Sequence, residues 1–407
     1  MRTHPSIPSR LPARFHLWWA ASTLQSAGGS MLGFALIWIA TSHGPGAVAL
    51  VSMLGILPPV ILTLLGGVLG DRHGPRQTLL VTSGAELTAL VALLAVAHGE
   101  PTVIFLATAA AVTSTISAIS RPSATVYARL LIRDDEQLPR ALARISGSLH
   151  AARILGVAAG GMTLSFSSLS TVLAVNAVLT ALCLAVLSAL RSQSPPSSPT
   201  PLSEDGGIWR ALKLAISSAH ALRIWPLLAA VALVCSAVLP VVAVVLPSWA
   251  RANDWSASQA SLLESAWAAG TLTVTLLISA TGTLTRQNIA LIGGPVLIAG
   301  ALAALALPLG VTAAILSSAL LGVGTAVFTT HIAPALLRLA PAGQMTRFQA
   351  LMGVVQLAPP ALLNSPFAAL SGSGHASFAL LLASILAIGA ALTIVLGERI
   401  RAAHLGP

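Results

Sequence analysis

Charge is what this chain has least of. Of 407 residues only 8% are Asp, Glu, Lys or Arg, against about 25% in a soluble domain. A surface facing water on all sides is therefore excluded. Cysteine is nearly missing too: Cys183 and Cys235 both fall inside apolar runs, which excludes a disulfide framework and a thiolate metal site. The GxxxxGK[ST] phosphate loop is absent, and no polar stretch is large enough to hold a nucleotide domain, so direct use of ATP is excluded. HExxH and paired carboxylates at catalytic spacing are absent as well, and the chain is expected not to be an enzyme. Aromatics amount to 4%, which leaves little for a stacked binding surface. No cleavable leader is expected: the basic, Pro-broken start runs into Trp18 and Trp19, an interfacial anchor for a first span too long for a signal sequence.

What fills the chain is hydrocarbon, at 56% apolar residues. Backbone groups in a bilayer must satisfy one another, so only helices or closed barrels cross it. Barrel strands alternate with a period of two over about ten residues. These runs are continuous and about twenty long, as a spanning helix needs. The expected fold is an all-α polytopic membrane protein with twelve helices, at about 15–40, 48–70, 77–98, 101–121, 138–163, 168–190, 221–249, 257–281, 287–307, 310–335, 345–368 and 375–397. A Ser- and Pro-rich stretch separates the sixth from the seventh, giving a first half at 1–190, a linker at 191–220 and a second half at 221–407.

All of the 21 Lys and Arg except Arg153 and Arg251 lie in, or at the span ends that border, the N-terminus, the even-numbered connections and the C-terminus. The positive-inside rule then puts both termini in the cytoplasm of a bacterial inner membrane. The net charge of +10 is thus a topology signal, and no nucleic-acid partner is expected. Arg129-Leu130 with Ala141-Leu142, after span four, matches Arg338-Leu339 with Ala350-Leu351, after span ten, at one offset. Parallel repeats of six spans are a known transporter plan.

One short stretch breaks the apolar monotony: Gly67-Val68-Leu69-Gly70-Asp71-Arg72-His73-Gly74-Pro75-Arg76. Gly66 and Gly67 allow close helix approach, and Gly74 permits a tight turn. Asp71 at the edge of the hydrocarbon is costly unless it meets a cation or a helix N-terminus. The stretch resembles the loop between spans two and three of the major facilitator superfamily, with Pro75 where a basic residue is usual. The resemblance implies a gating loop of Gly67, Asp71, Arg72, Gly74 and Arg76, with Asp71 meeting the start of span eleven near Gln344–Arg347. The run 121–162 is similar to the region after span four in the enterobactin-exporter and macrolide-efflux branch. Within it Gly147, Gly156, Gly160 and Gly161 resemble the span-five motif of proton-driven exporters, with Val157 in place of the expected Pro. Gly282 to Arg286, the second-half counterpart of the opening loop, lacks the Asp.

Polar residues recur at helical spacing on four spans. They are Ser22, Gln25, Gly29 and Gly33 on span one, and Ser146, His150, Arg153, Val157 and Gly160 on span five. Span eight carries Ser258, Ser261, Glu264, Ser265, Ala268, Thr271 and Thr275; span eleven carries Gln349, Gly353, Gln356, Pro360 and Asn364. The resemblance implies that these four spans face a central cavity; helix packing is the plainer alternative for each. Candidate cavity residues are Gln25, Arg153, Ser261, Trp267, Gln349, Gln356 and Asn364.

Charges inside spans cost roughly 2.5–3.5 kcal/mol each at the helix centre, so Glu86, Arg153 and Glu264 call for a role. Span eight opens with Ser256-Ala257-Ser258-Gln259, a capping-box pattern, which places Glu264 about 11 Å down the helix. Glu264 is the leading proton-coupling candidate, ahead of Glu86 and His150; a neutral Glu bonded to Ser261 or Trp267 is the alternative. Arg153 is a counter-ion, a ligand for a substrate anion, or a snorkelling side chain. His150 and His331 also titrate in a useful range.

The expected function is a secondary active transporter working by alternating access on a small organic molecule, as proton-coupled efflux of a drug, siderophore or natural product. It would act as a monomer in a lipid bilayer, with protons as partners and no cofactor beyond the proton gradient. Uptake or lipid flipping on the same fold, and a transport-inactive sensor, are the alternatives.

Overall fold

The computed structural model describes residues 11–97, 99–132, 138–190, 224–281, 287–308, 310–339 and 345–404. Among these the chain is helical, without strands. The helices are α1 Ala13–Ser42, α2 Pro45–His73, α3 Pro75–Val96, α4 Val103–Leu130, α5 Leu138–Phe166 and α6 Leu169–Ala189. They continue with α7 Trp225–Ala252, α8 Ala257–Thr281, α9 Gln287–Leu305, α10 Val311–Leu339, α11 Met345–Gly372 and α12 Ala376–His404. Over the described residues, 10 of these helices are long and apolar enough to cross a membrane. The expected linker at 191–220 and the Gly282–Arg286 loop lie outside the described residues, as does Gln344.

Local chemistry explains where the helices start. Gly44 and Gly74 adopt φ of 92° and 83°, a region costly for other residues. Each is followed by a proline at the first helical position, where the missing N–H loses no bond. Pro75, the departure from the usual loop, is thus the first residue of α3. Thr102 accepts a hydrogen bond from the Phe105 amide at 3.3 Å and caps α4. At α8 the reciprocal box forms: the Ser256 amide donates to Gln259 Oε1 at 2.9 Å and the Gln259 amide to Ser256 Oγ at 3.3 Å.

Two departures from the expected pattern occur at prolines. The sequence pattern ends span four at 121, before Pro122, yet α4 runs through Pro122 to Leu130. A proline breaks a helix by removing one donor, but neighbouring helices tolerate that in a packed bundle. In α7 a π-helical turn at Val241–Val245 follows Pro240, accommodating one extra residue next to that missing donor.

The packing repeats. In the first six helices α1 packs on α5 and α6, α2 on α4, and α3 on α4 and α6; in the last six α7 packs on α11 and α12, α8 on α10, and α9 on α10 and α12. Adding six to each number converts one set into the other. The two sets meet chiefly through α5 with α8 and α2 with α11, again a pair related by the same shift. With twelve antiparallel crossings both chain ends lie on one side, called here the terminal side.

Candidate functional site

The centre of the molecule is built where α5 and α8 cross. Glycines make the crossing possible. A Cβ on Gly156 would fall on the Ala27 carbonyl of α1, and one on Gly160 would lie 2.8 Å from the Met31 carbonyl. On Gly161 it would collide with Ser261 and with the Ala257 carbonyl of α8. Three of the four glycines of span five thus bring three backbones together, which apolar helices use in place of a hydrophobic driving force. A Cβ on Gly147 would meet nothing. Ser261 is buried and returns its hydroxyl to the Ser258 carbonyl.

That close crossing presents the two central charges to each other. Arg153 Nη2 donates to Glu264 Oε1 at 2.7 Å and Nε to the same oxygen at 3.2 Å. The guanidinium also lies over the Trp267 ring, 4.9 Å from its centroid. Exposure is uneven: the Arg153 side chain is 42% exposed and that of Glu264 13%. Both guanidinium bonds converge on one carboxylate oxygen, so the fork is not fully engaged and retains an accessible edge. Of the expected roles for Arg153, the counter-ion geometry is present, and Glu264 takes Arg153 rather than Ser261 or Trp267 as its partner. His150, one turn before Arg153, is partly buried. Trp267 is buried, and its Nε1 approaches Thr325 Oγ1 at 3.4 Å.

Other expected residues separate from this group. Gln25 Nε2 donates to Glu86 Oε2 at 2.8 Å, so α1 and α3 are joined inside the first half. Gln356 is exposed, whereas Asn364 is 1% exposed with neither amide atom bonded among the described residues. Arg76 donates to the carbonyls of Leu190, Leu187 and Ser188 at 2.7, 3.0 and 3.1 Å. It thereby caps the C-terminus of α6, where a cation is favoured. Arg72 is exposed. The surroundings of Gly67, Asp71 and Gln349 lie outside the described residues.

Arg251 is not among the site residues expected from the sequence. It donates from Nε to Thr41 Oγ1 and from Nη2 to the Trp38 carbonyl, both at 3.0 Å. Its guanidinium sits 4.0 Å from the Trp38 ring centroid, and Trp38 stacks on Phe34. This clamp joins α7 to α1 at the end away from the chain termini. Its signal in the sequence is that Arg251 is one of two cations outside the basic segments.

The distribution of inter-half bonds gives the site its direction. Ser265 Oγ donates to the Ile154 carbonyl, and the Ser258 amide to Ser165 Oγ, each at 3.1 Å. Like the Arg153–Glu264 pair and the Arg251 clamp, these inter-half hydrogen bonds lie between mid-helix and the far side. On the terminal side the apolar cluster of Phe15, Trp18, Leu79, Tyr127, Cys183 and Leu187 contains no residue of the last six helices. The halves are bonded together on the far side, and the ion pair stands at the inner limit of those bonds.

The sequence model of the Major Facilitator Superfamily matches residues 18–363. Comparison with curated protein sequences gives no match. Solved structures share the fold at low identity. A bacterial homologue of the iron transporter ferroportin, in an inward-facing state, is 16% identical with a TM-score of 0.73, covering 96% of this chain and 99% of that one. The POT family transporter PepTSo is 13% identical with a TM-score of 0.72, covering 96% and 98%. A point mutant of the nucleoside transporter NupG is 15% identical with a TM-score of 0.68, covering 92% and 99%.

Proposed function

Since the chain belongs to the Major Facilitator Superfamily and is a multi-pass membrane transporter by family and fold, we propose that it is a proton-coupled exporter of a small organic molecule. The observation that carries this reading is the Arg153–Glu264 pair, set at mid-depth between two halves that are bonded together on the far side. Protonating Glu264 removes its charge and with it the ionic attraction to Arg153. The crossing of α5 and α8 then loosens, and the half-exposed guanidinium is released toward the cavity. Exchange of the arginine for a proton at Glu264 would couple ion binding to the movement of the two six-helix halves.

The basic segments favour a cytoplasmic terminal side in a bacterial inner membrane, so the cavity opens inward and collects its cargo from the cytoplasm. The chain works as a monomer, and the gating loop with Asp71 closes the inner side against the start of α11. Val157, in place of the proline that bends span five in proton-driven exporters, favours uptake or lipid flipping as the second reading.

Accumulation of dyes, antibiotics and siderophores in efflux-deficient cells tests the proposal, with and without a protonophore. Lower accumulation of a compound, restored by the protonophore and absent with Asp71→Asn, is the expected result. In proteoliposomes Glu264→Gln is expected to lose gradient-driven pumping and to keep substrate exchange. A Glu264→Gln protein that still builds a substrate gradient rules out the coupling role.

A further inference from the structure

The interior of the first six helices is divided. One apolar cluster fills the far side with Met31, Leu32, Leu36, Leu90, Leu106 and Leu173; the cluster around Phe15, Trp18 and Leu187 fills the terminal side. Between them lies a polar layer contributed by α1, α3 and α6. Gln25 and Glu86 are bonded to each other across α1 and α3. From α6 come Asn176 and Thr180, 1% and 0% exposed. Neither the Asn176 amide nor the Thr180 hydroxyl has a hydrogen-bond partner among the described residues.

These groups are at one level. A Cβ on Gly28 would fall on Asn176 Oδ1, so the Asn176 side chain is aimed at α1, one turn from Gln25. Helices α1 and α6 run in opposite directions, so Gly28 to Gln25 and Asn176 to Thr180 are steps the same way. Helix α6 packs on both α1 and α3, the two helices that the Gln25–Glu86 bond joins. Within the described residues the carboxylate of Glu86 faces no basic side chain; the described ion pair is Arg153–Glu264. A mid-span carboxylate without a counter-charge, beside an amide and a hydroxyl without partners, is an incomplete set. A hard cation would complete it: Glu86, Asn176 and Thr180 carry oxygen, the donor that alkali and alkaline-earth ions prefer, while Gln25 Nε2 holds the other side of the carboxylate. A single carboxylate balances a single positive charge.

We propose that this layer is a monovalent-cation site, taking Na+ between the Glu86 carboxylate and the side-chain oxygens of Asn176 and Thr180, with Gln25 Nε2 orienting the carboxylate. The site lies within one half and is separate from the Arg153–Glu264 pair. It therefore stands or falls independently of the transport direction proposed above.

The test is thermal unfolding of the purified protein in detergent, with NaCl, KCl, CaCl2 or choline chloride at constant ionic strength, beside direct 22Na+ binding. Wild type is expected to unfold several degrees higher in Na+ than in choline and to bind 22Na+ saturably. Glu86→Gln is expected to abolish both signals, and the near-isosteric Thr180→Val to weaken Na+ binding about tenfold while retaining the fold. Equal midpoints in Na+ and choline without saturable 22Na+ binding overturn the site. Saturable 22Na+ binding that survives in Glu86→Gln moves it elsewhere and overturns the assignment. A larger midpoint rise with Ca2+ than with Na+ overturns the monovalent charge.

Discussion

The first and last six helices share one packing diagram but not one interior. In the last six, a single apolar cluster runs without a break through Leu228, Val234, Val241, Leu263, Leu302, Phe328 and Ala387. Its polar insertions are scattered: Ser384 Oγ donates to the Ala299 carbonyl at 2.9 Å, while Ser318 and Asn364 are buried without a hydrogen-bond partner among the described residues. In the first six, the corresponding interior is cut by the layer of Gln25, Glu86, Asn176 and Thr180. The central helices differ accordingly: 67% of the most apolar window of α7 is buried against 44% for α1. Helices in lipid gain nothing from hydrophobicity alone and cohere by packing and interhelical bonds. An interior that stays in one apolar cluster is thus the more rigid unit, whereas one cut through by a layer that includes a carboxylate holds free energy that a ligand can draw on. The difference teaches that repeated topology leaves the chemistry of each half free to diverge.

The largest expected effect comes from giving the second half the interior of the first. Leu302→Asn places an unpartnered amide and a void in a continuous core, and should lower stability by about 3 kcal/mol or more. Asn176→Ala, in choline buffer, removes an amide that already lacks partners and should cost less than about 1 kcal/mol. Thermal unfolding of both variants checks the contrast, and equal losses would erase the distinction between the halves. Next is the joint between them. Arg153→Ala leaves the Glu264 carboxylate unpaired at the crossing, and the transport rate should fall about thirtyfold, the equivalent of about 2 kcal/mol. Arg153→Lys should recover only part of it, since a lysine cannot fork.

The clamp on the far side follows. Arg251→Ala removes two hydrogen bonds and a cation–π contact together worth about 1–2 kcal/mol. The population opened on the far side should rise about five- to thirtyfold. Distance measurements between spin labels on the far ends of α1 and α7 would show it, and unchanged distances would remove the clamp from the gate. The smallest effect belongs to the cap of α8: Ser256→Ala should cost about 1 kcal/mol and leave transport rates unchanged.

Much of the fold was legible because a bilayer permits so few solutions. Runs of about twenty apolar residues must be helices, and all twelve expected spans have counterparts. The Ser256–Gln259 box marked the start of α8, and the Gly74-Pro75 junction separated α2 from α3. Pro122 misled, because its local cost is visible in sequence whereas the neighbouring helices that absorb it are not. The π turn after Pro240 is likewise a matter of packing. At the site, the unusual position of Arg153 and Glu264 was visible as charge in an apolar run; that they are each other's partners was not. The capping role of Arg76 was hidden because α6 ends more than a hundred residues later.

The sequence by itself determined the medium, the number of helices and which residues are too costly to be there without reason. Composition and run length decide these, since each segment faces the same hydrocarbon whatever its neighbours. Tertiary structure alone decided that Arg153 meets Glu264, that Arg251 grips Trp38, and that Gln25 turns to Glu86. Those partners are separated by 111, 213 and 61 positions. No local preference encodes such pairings; Arg153 and Glu264 meet because Gly161 lets the backbones of α5 and α8 approach closely.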